Sequence, residues 1–179
     1  MSEPSAPPPV KLFVLTLAHA SENAVDAVRQ LEEEWGRADY RSPAYAFDAT
    51  DYYEAELGSP LERSVVSFER LVPPDALPGA KHTTNRVERA FSVASRRRVN
   101  LDPGYLDTQR IVLASCKAAR HKIYLADGIW ADPIACYERG EFVAWPWSFR
   151  DFRDGTYRAS FTCIRELYKD ALRRRAEHA

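Results

Sequence analysis

The chain has 179 residues, 45% hydrophobic and 28% charged. That is long enough for one well-buried core, and the composition excludes the apolar-poor pattern of a disordered chain. Twenty-five Lys and Arg against 26 Asp and Glu leave a formal charge of -1, so no overall field draws the molecule to nucleic acid or to an anionic membrane. Three cysteines, Cys116, Cys136 and Cys163, form no C-x-x-C pair and leave one over after any pairing, which is the usage of a reducing compartment.

Residues 1–10 carry four prolines mixed with Ser and Glu and read as a flexible, extended leader. They lack the basic and apolar regions of a signal peptide, and no run approaches the roughly 18 apolar residues of a membrane span, so a cytoplasmic location is expected. Residues 11–179 read as a single α+β domain. Residues 12–17 (LFVLTL) form a β-compatible run. Ser21 offers an N-cap oxygen to a helix with Ala24, Val28, Leu31 and Trp35 on one stripe, stopped by Gly36.

Residues 45–58 (YAFDATDYYEAELG) are acidic and aromatic without periodicity, and residues 63–72 (RSVVSFERLV) read as a strand ended by Pro73, Pro74 and Pro78. Thr83 or Thr84 caps a second predicted helix through Val87, Ala90, Phe91 and Ala94, closing at Arg96, Arg97 and Arg98. Strands are expected at 110–115 and 122–126, then a hairpin over 129–145 turning at Glu138-Arg139-Gly140-Glu141. A last helix aligns Tyr157, Phe161, Ile164, Tyr168 and Leu172. This order predicts a mainly antiparallel sheet with about three helices packed on one side of it, an elaborated ferredoxin-like split βαβ arrangement.

The seven glycines never come closer than 12 residues to one another, so neither G-x-G-x-x-G nor G-x-x-x-x-G-K-[ST] exists in the chain. An anion could still sit at a helix start such as Thr83-Thr84, preceded by Lys81. The four histidines, His19, His82, His121 and His178, show no zinc-ligand spacing.

Five polar or aromatic segments remain as candidates for chemistry. Asp48, Asp51 and Glu54 place three carboxylates within seven residues, enough to share a divalent cation such as Mg²⁺ with a phosphate; the same residues also suit an acidic loop or helix start. Asn100 and Asp102 in VNLDPGYL face a ligand or serve an Asp-Pro-Gly turn. Lys117 and His121 emerge together between two strands, as anion and proton handlers or as a solvated connector. Cys116 beside them reads as a small apolar side chain. The aromatic residues of 127–132 and 145–147 line a pocket or pack as core. Asn85 lies just past the two threonines.

In order, KLFVLTLAH, FDATDYYEAELG, SFERLVPP, TTNRVE, RRVNLDPGYLD, VLASCKAARHKIYLADGIWAD and GEFVAWPWSFRDFRDGTY resemble a bacterial family catalogued only as a domain of unknown function, over nearly everything after the leader. Some of its members carry a GTP-binding label, which the glycine spacing here does not support. The resemblance implies testing Asp48, Asp51, Tyr52, Glu54, Asn85, Asn100, Asp102, Tyr105, Lys117 and His121, which fall at matching motif positions. Where that family reads PWTYPDYR, this chain reads PWSFRDFR.

The expected function is a small-molecule site for an anionic, phosphorylated or nucleotide-like ligand, as a divalent-metal-dependent enzyme if catalytic. Asp102, Lys117 and His121 are its catalytic candidates, Asn85, Asn100, Tyr105 and Tyr52 its ligand contacts, and Asp48, Asp51 and Glu54 its metal ligands. The alternative is a non-catalytic protein-interaction or regulatory module presenting the aromatic hairpin. RNA binding through Arg96–Arg98 is disfavoured by the net charge.

Overall fold

The computed structural model describes residues 3–20, 24–94 and 96–177. Its centre is β1 (Val10–His19), whose residues are almost all buried, as a strand covered on both faces must be. β4 (Leu61–Val72) and β5 (Val99–Leu106) flank it, both antiparallel. β2 (Ala38–Arg41) and β3 (Tyr45–Phe47) pair successively along the far side of β4. Beyond β5 come β6 (Arg110–Ser115), β8 (Ile129–Glu138) and β7 (Ile123–Ala126), with β9 (Glu141–Ala144) also on β8.

Helix α1 (Val25–Trp35) links β1 to β2, and α3 (Leu77–Ala90) links β4 to β5; in each case a strand of other sequence origin lies between the pair. That is the ferredoxin-like split βαβ connectivity, elaborated by β6–β9 and by α5 (Arg158–Glu177). Two short helices, α2 (Glu54–Leu57) and α4 (Arg150–Arg153), complete it.

Alternation along β1 sorts the core into two layers. Leu12 and Val14 pack with Ala27, Val28 and Leu31 of α1 and Ala80 and Val87 of α3. Phe13 and Leu15 pack with Phe161, Ile164 and Tyr168 of α5. The helices therefore cover both faces of the sheet, correcting the expectation of one covered side. The long stripe on α5 was legible; which face it covered depended on its connection through β9.

Gly36 ends α1 at φ 89°, as its sequence position implied. Ser21, expected to cap that helix, lies outside the described residues. The second helix starts at Leu77, six residues before Thr83, with Pro78 in its first turn; the missing N–H of a proline costs nothing there, where backbone donors have no helical partner anyway. Thr83 and Thr84 thus lie inside α3, where Thr84 Oγ1 donates to the Lys81 carbonyl, and they form no helix start. The helix ends at Ala90, leaving Arg96–Arg98 in the link to β5.

The largest departure is VNLDPGYL, expected as a turn and observed as β5. It pairs with β1 along its whole length but with β6 only from Gly104 to Leu106. Pro103 stands where β6 leaves the ladder, a position at which a residue without an N–H is tolerated. Tight turns with positive φ at Asp127-Gly128 and Arg139-Gly140 close the two hairpins of the β7–β9 region.

Candidate functional site

The separation of β5 from β6 opens a cleft of about 280 Å³. Beyond the ladder, both outward backbone groups of Leu101 are taken up by charged side chains of α3. Lys81 Nζ donates to the Leu101 carbonyl at 3.0 Å, and Leu101 N donates to Glu88 Oε1 at 2.6 Å. Lys81 and Glu88 are 6% and 4% exposed and sit two helical turns apart on one face. They replace the missing strand, because buried backbone polar groups must be paired.

Asp102 and Asn100 project from β5 into the cleft. Lys81 Nζ lies 3.3 Å from Asp102 Oδ1, Asn100 Nδ2 donates to Asp102 Oδ2 at 2.8 Å, and Arg97 Nη1 donates to Asn100 Oδ1 at 2.9 Å. Burial pushes the Asp102 carboxyl up, but Lys81, Arg63 and the Asn100 hydrogen bond outweigh it and hold the group below its ordinary value. A depressed carboxylate contributes stability that is complete above about pH 4 and lost as pH falls through its folded value. Asp102→Asn is therefore expected to flatten the acid limb of a urea-stability profile between about pH 4 and pH 2; an unchanged limb would mean that Lys81 does not hold the carboxylate ionised.

The opposite wall comes from β6 and β8. Lys122 Nζ donates to Asp132 Oδ2 at 3.0 Å and to Ser115 Oγ at 2.9 Å, and His121 Nε2 lies 3.3 Å from Asp132 Oδ1. The His121 ring stacks on Trp147, which stacks in turn on Trp145. His121 thus stands at the rim, joined to the cleft through Asp132. Tyr52, Tyr53 and Phe149 also line the cleft. Burial is the main cause that pushes the Tyr53 hydroxyl up to about 12. Lys117 Nζ donates to the Tyr52 hydroxyl at 3.0 Å, and that cation lowers the value of the phenol.

Among the described residues, four cations and two carboxylates line the cleft. Lys81 pairs with Asp102, Lys122 with Asp132, and Arg97 with Glu56 and Glu88. Lys117 has only the neutral Tyr52 hydroxyl, so it is the lining cation with no ion pair among the described residues.

Five of the candidate residues, Tyr52, Asn85, Asn100, Asp102 and Lys117, therefore share one cavity. Tyr105 does not; it packs against the α1–α3 layer, where burial raises its hydroxyl. Asp48 is exposed and ion-paired with Arg150, while Asp51 and Glu54 are exposed around the start of α2. Among the described residues no three His, Cys, Asp or Glu side chains gather as a metal-ligand set. The reading of residues missed Arg97, Glu88, Lys122, Ser115 and Phe149. One signal did exist, since Lys81 and Glu88 interrupt the apolar stripe of α3 at core-facing positions.

A family model described as a domain of unknown function, DUF4416, matches residues 8–168. The chain belongs to this family. Neither a curated protein nor a solved structure matches it, so the DUF4416 match brings membership without an activity. No helix among the described residues is long and apolar enough to cross a membrane.

Proposed function

We propose that the cleft between β5 and β6 binds a small anionic molecule, phosphorylated or nucleotide-like. The supporting observation is the convergence of Tyr52, Asn85, Asn100, Asp102 and Lys117, from separate stretches of chain, on one cavity of about 280 Å³. A volume near that size suits a metabolite-sized ligand. Lys117, which has no carboxylate partner among the described residues, meets its negative charge. Asn100 and Asp102 offer an amide and a firmly ionised acceptor to its hydroxyl or amino groups, and the rings of Tyr52 and Phe149 cover a flat moiety. If the site is catalytic, Asp102 orients the substrate rather than taking its proton, because a depressed carboxylate is a weak base. Proton transfer then falls to His121 at the rim, oriented by Asp132. A divalent cation would enter with the ligand's phosphate.

Thermal unfolding against nucleotides, sugar phosphates and organic acids, with and without Mg²⁺, tests the reading. A true ligand raises the midpoint with concentration, worth about 2.7 kcal/mol at a hundredfold excess over Kd, and Lys117→Ala abolishes the rise. A panel that leaves the midpoint flat counts against the cleft and favours a second reading, a protein-interaction module. That reading rests on Ile123, Tyr124 and Leu125, which are exposed on β7 at the end of the sheet.

A further inference from the structure

The sheet ends on β7, and among the described residues no strand pairs with its outer edge. All of its residues are exposed, Ile123 at 63%, Tyr124 at 55% and Leu125 at 39%. We propose that this edge is the interface of a homodimer, in which β7 of two copies pair antiparallel across a two-fold axis and join their sheets. This names a partner for the surface on which the interaction reading rests, and it holds whatever the β5–β6 cleft binds.

Edge strands are ordinarily guarded by charged side chains, because a bare edge pairs with other chains. The opposite end of the sheet is guarded in this way: in β2, Asp39 binds Lys11 and Ser67, and Arg41 pairs with Glu32. β7 itself carries no charge, and Lys122 just before it is turned inward, with Nζ on Asp132 and Ser115. The charges at the two ends of the strand select a second copy. Arg120 precedes it and Asp127 follows it; both are exposed, and neither has an ion pair among the described residues. A strand positive at its start and negative at its end complements itself only when antiparallel, the orientation that a two-fold axis imposes. Centred on Tyr124, this pairing sets Tyr124 against its own copy, Ile123 beside the partner's Leu125 and Arg120 alongside the partner's Asp127. One short strand is a small interface, so association in the micromolar range is expected.

Sedimentation equilibrium of the full chain over a range of concentrations tests the proposal. A monomer–dimer equilibrium is expected, weakened about tenfold or more by Tyr124→Lys, which places a charge on the edge. Arg120→Gln should weaken it about fivefold. So should Asp127→Asn, which keeps a residue suited to the positive φ of that turn. Together the two should weaken it no more than either alone, because they remove the same pair. The charge variants decide the matter if Tyr124→Lys does not fold. Asp102→Asn, in the cleft, should leave the dimer within about twofold, so the dimer and the ligand site fail separately. A chain still monomeric at about 1 mM overturns the proposal, as does a dimer unchanged by Tyr124→Lys or by both charge substitutions. A chain that stays monomeric while an alternating Val-Thr peptide protects its β7 amides from hydrogen exchange would give the edge to a peptide ligand and likewise overturn it.

Discussion

Replacing Asp151 by alanine is expected to destabilise the protein by about 3–5 kcal/mol, a large share of the 5–15 kcal/mol typical of a domain. Asp151 lies in α4 with its side chain 8% exposed, facing Arg63 of β4 at 4%. Arg63 Nη1 donates to Asp151 Oδ2 at 2.7 Å, and the Tyr157 hydroxyl donates to the same oxygen at 2.6 Å. Removing the carboxylate strands a buried guanidinium, whose Nε already lacks a hydrogen-bond partner among the described residues, together with a buried phenol. Desolvated charge without a partner is the costliest defect a core contains. Equilibrium urea denaturation measures the loss. Arg63→Met/Asp151→Leu should recover much of it, since it removes both charges and keeps the volume. A loss below about 1 kcal/mol for Asp151→Ala would mean that water reaches the pair.

Gly104→Ala is the second large effect, expected at about 3 kcal/mol or more. A methyl group at this position would lie 2.6 Å from the Val112 carbonyl oxygen, 2.6 Å from Phe13 Cζ and 2.9 Å from Leu113 Cδ2. The ring of Phe13 crosses Gly104 on the neighbouring strand and meets Phe161 of α5 edge-on at 5.1 Å. Relief therefore requires either moving β6 away from β5 or lifting α5 from the sheet. The first movement would widen the cleft, so Gly104→Ala also reports on the site: if it folds, ligand affinity should fall with stability. A substitution that costs under about 1 kcal/mol would contradict the close approach of these strands.

Much of this architecture was legible in the sequence. β6 was recognised with its bounds, the turn at Arg139-Gly140 lies where its glycine placed it, and the stripe of Phe161, Ile164 and Tyr168 is the buried face of α5. Local periodicity and turn chemistry were sufficient there. They misled at Asp102-Pro103-Gly104, where each residue favours a turn locally, yet pairing with β1 and the capping of Leu101 by Lys81 and Glu88 make a strand. The same tertiary override created the cleft, since Pro103 and the departure of β6 open the space that Asn100 and Asp102 face.

The candidate site was visible in kind rather than in connectivity. Asp102, Lys117, Asn85 and Tyr52 stood out because polar groups were set in loop-like contexts, and the fold places them around one cavity. Tyr105 failed that test through strand alternation, which sends it to the opposite layer from Asp102. Arg97 was hidden because a run of three arginines reads as a solvated helix end. Its partners, Glu56 and Glu88, lie 41 and 9 residues away, a spacing no local pattern announces.

The most direct test of the cleft is amide chemical-shift mapping while a ligand from the thermal panel is titrated into labelled protein. Concentration-dependent shifts centred on Asn100, Asp102, Ser115 and Lys117, and absent in Lys117→Ala, are the predicted result. Shifts confined to β7 and the Trp145–Trp147 stack, with the cleft amides unmoved, would contradict it.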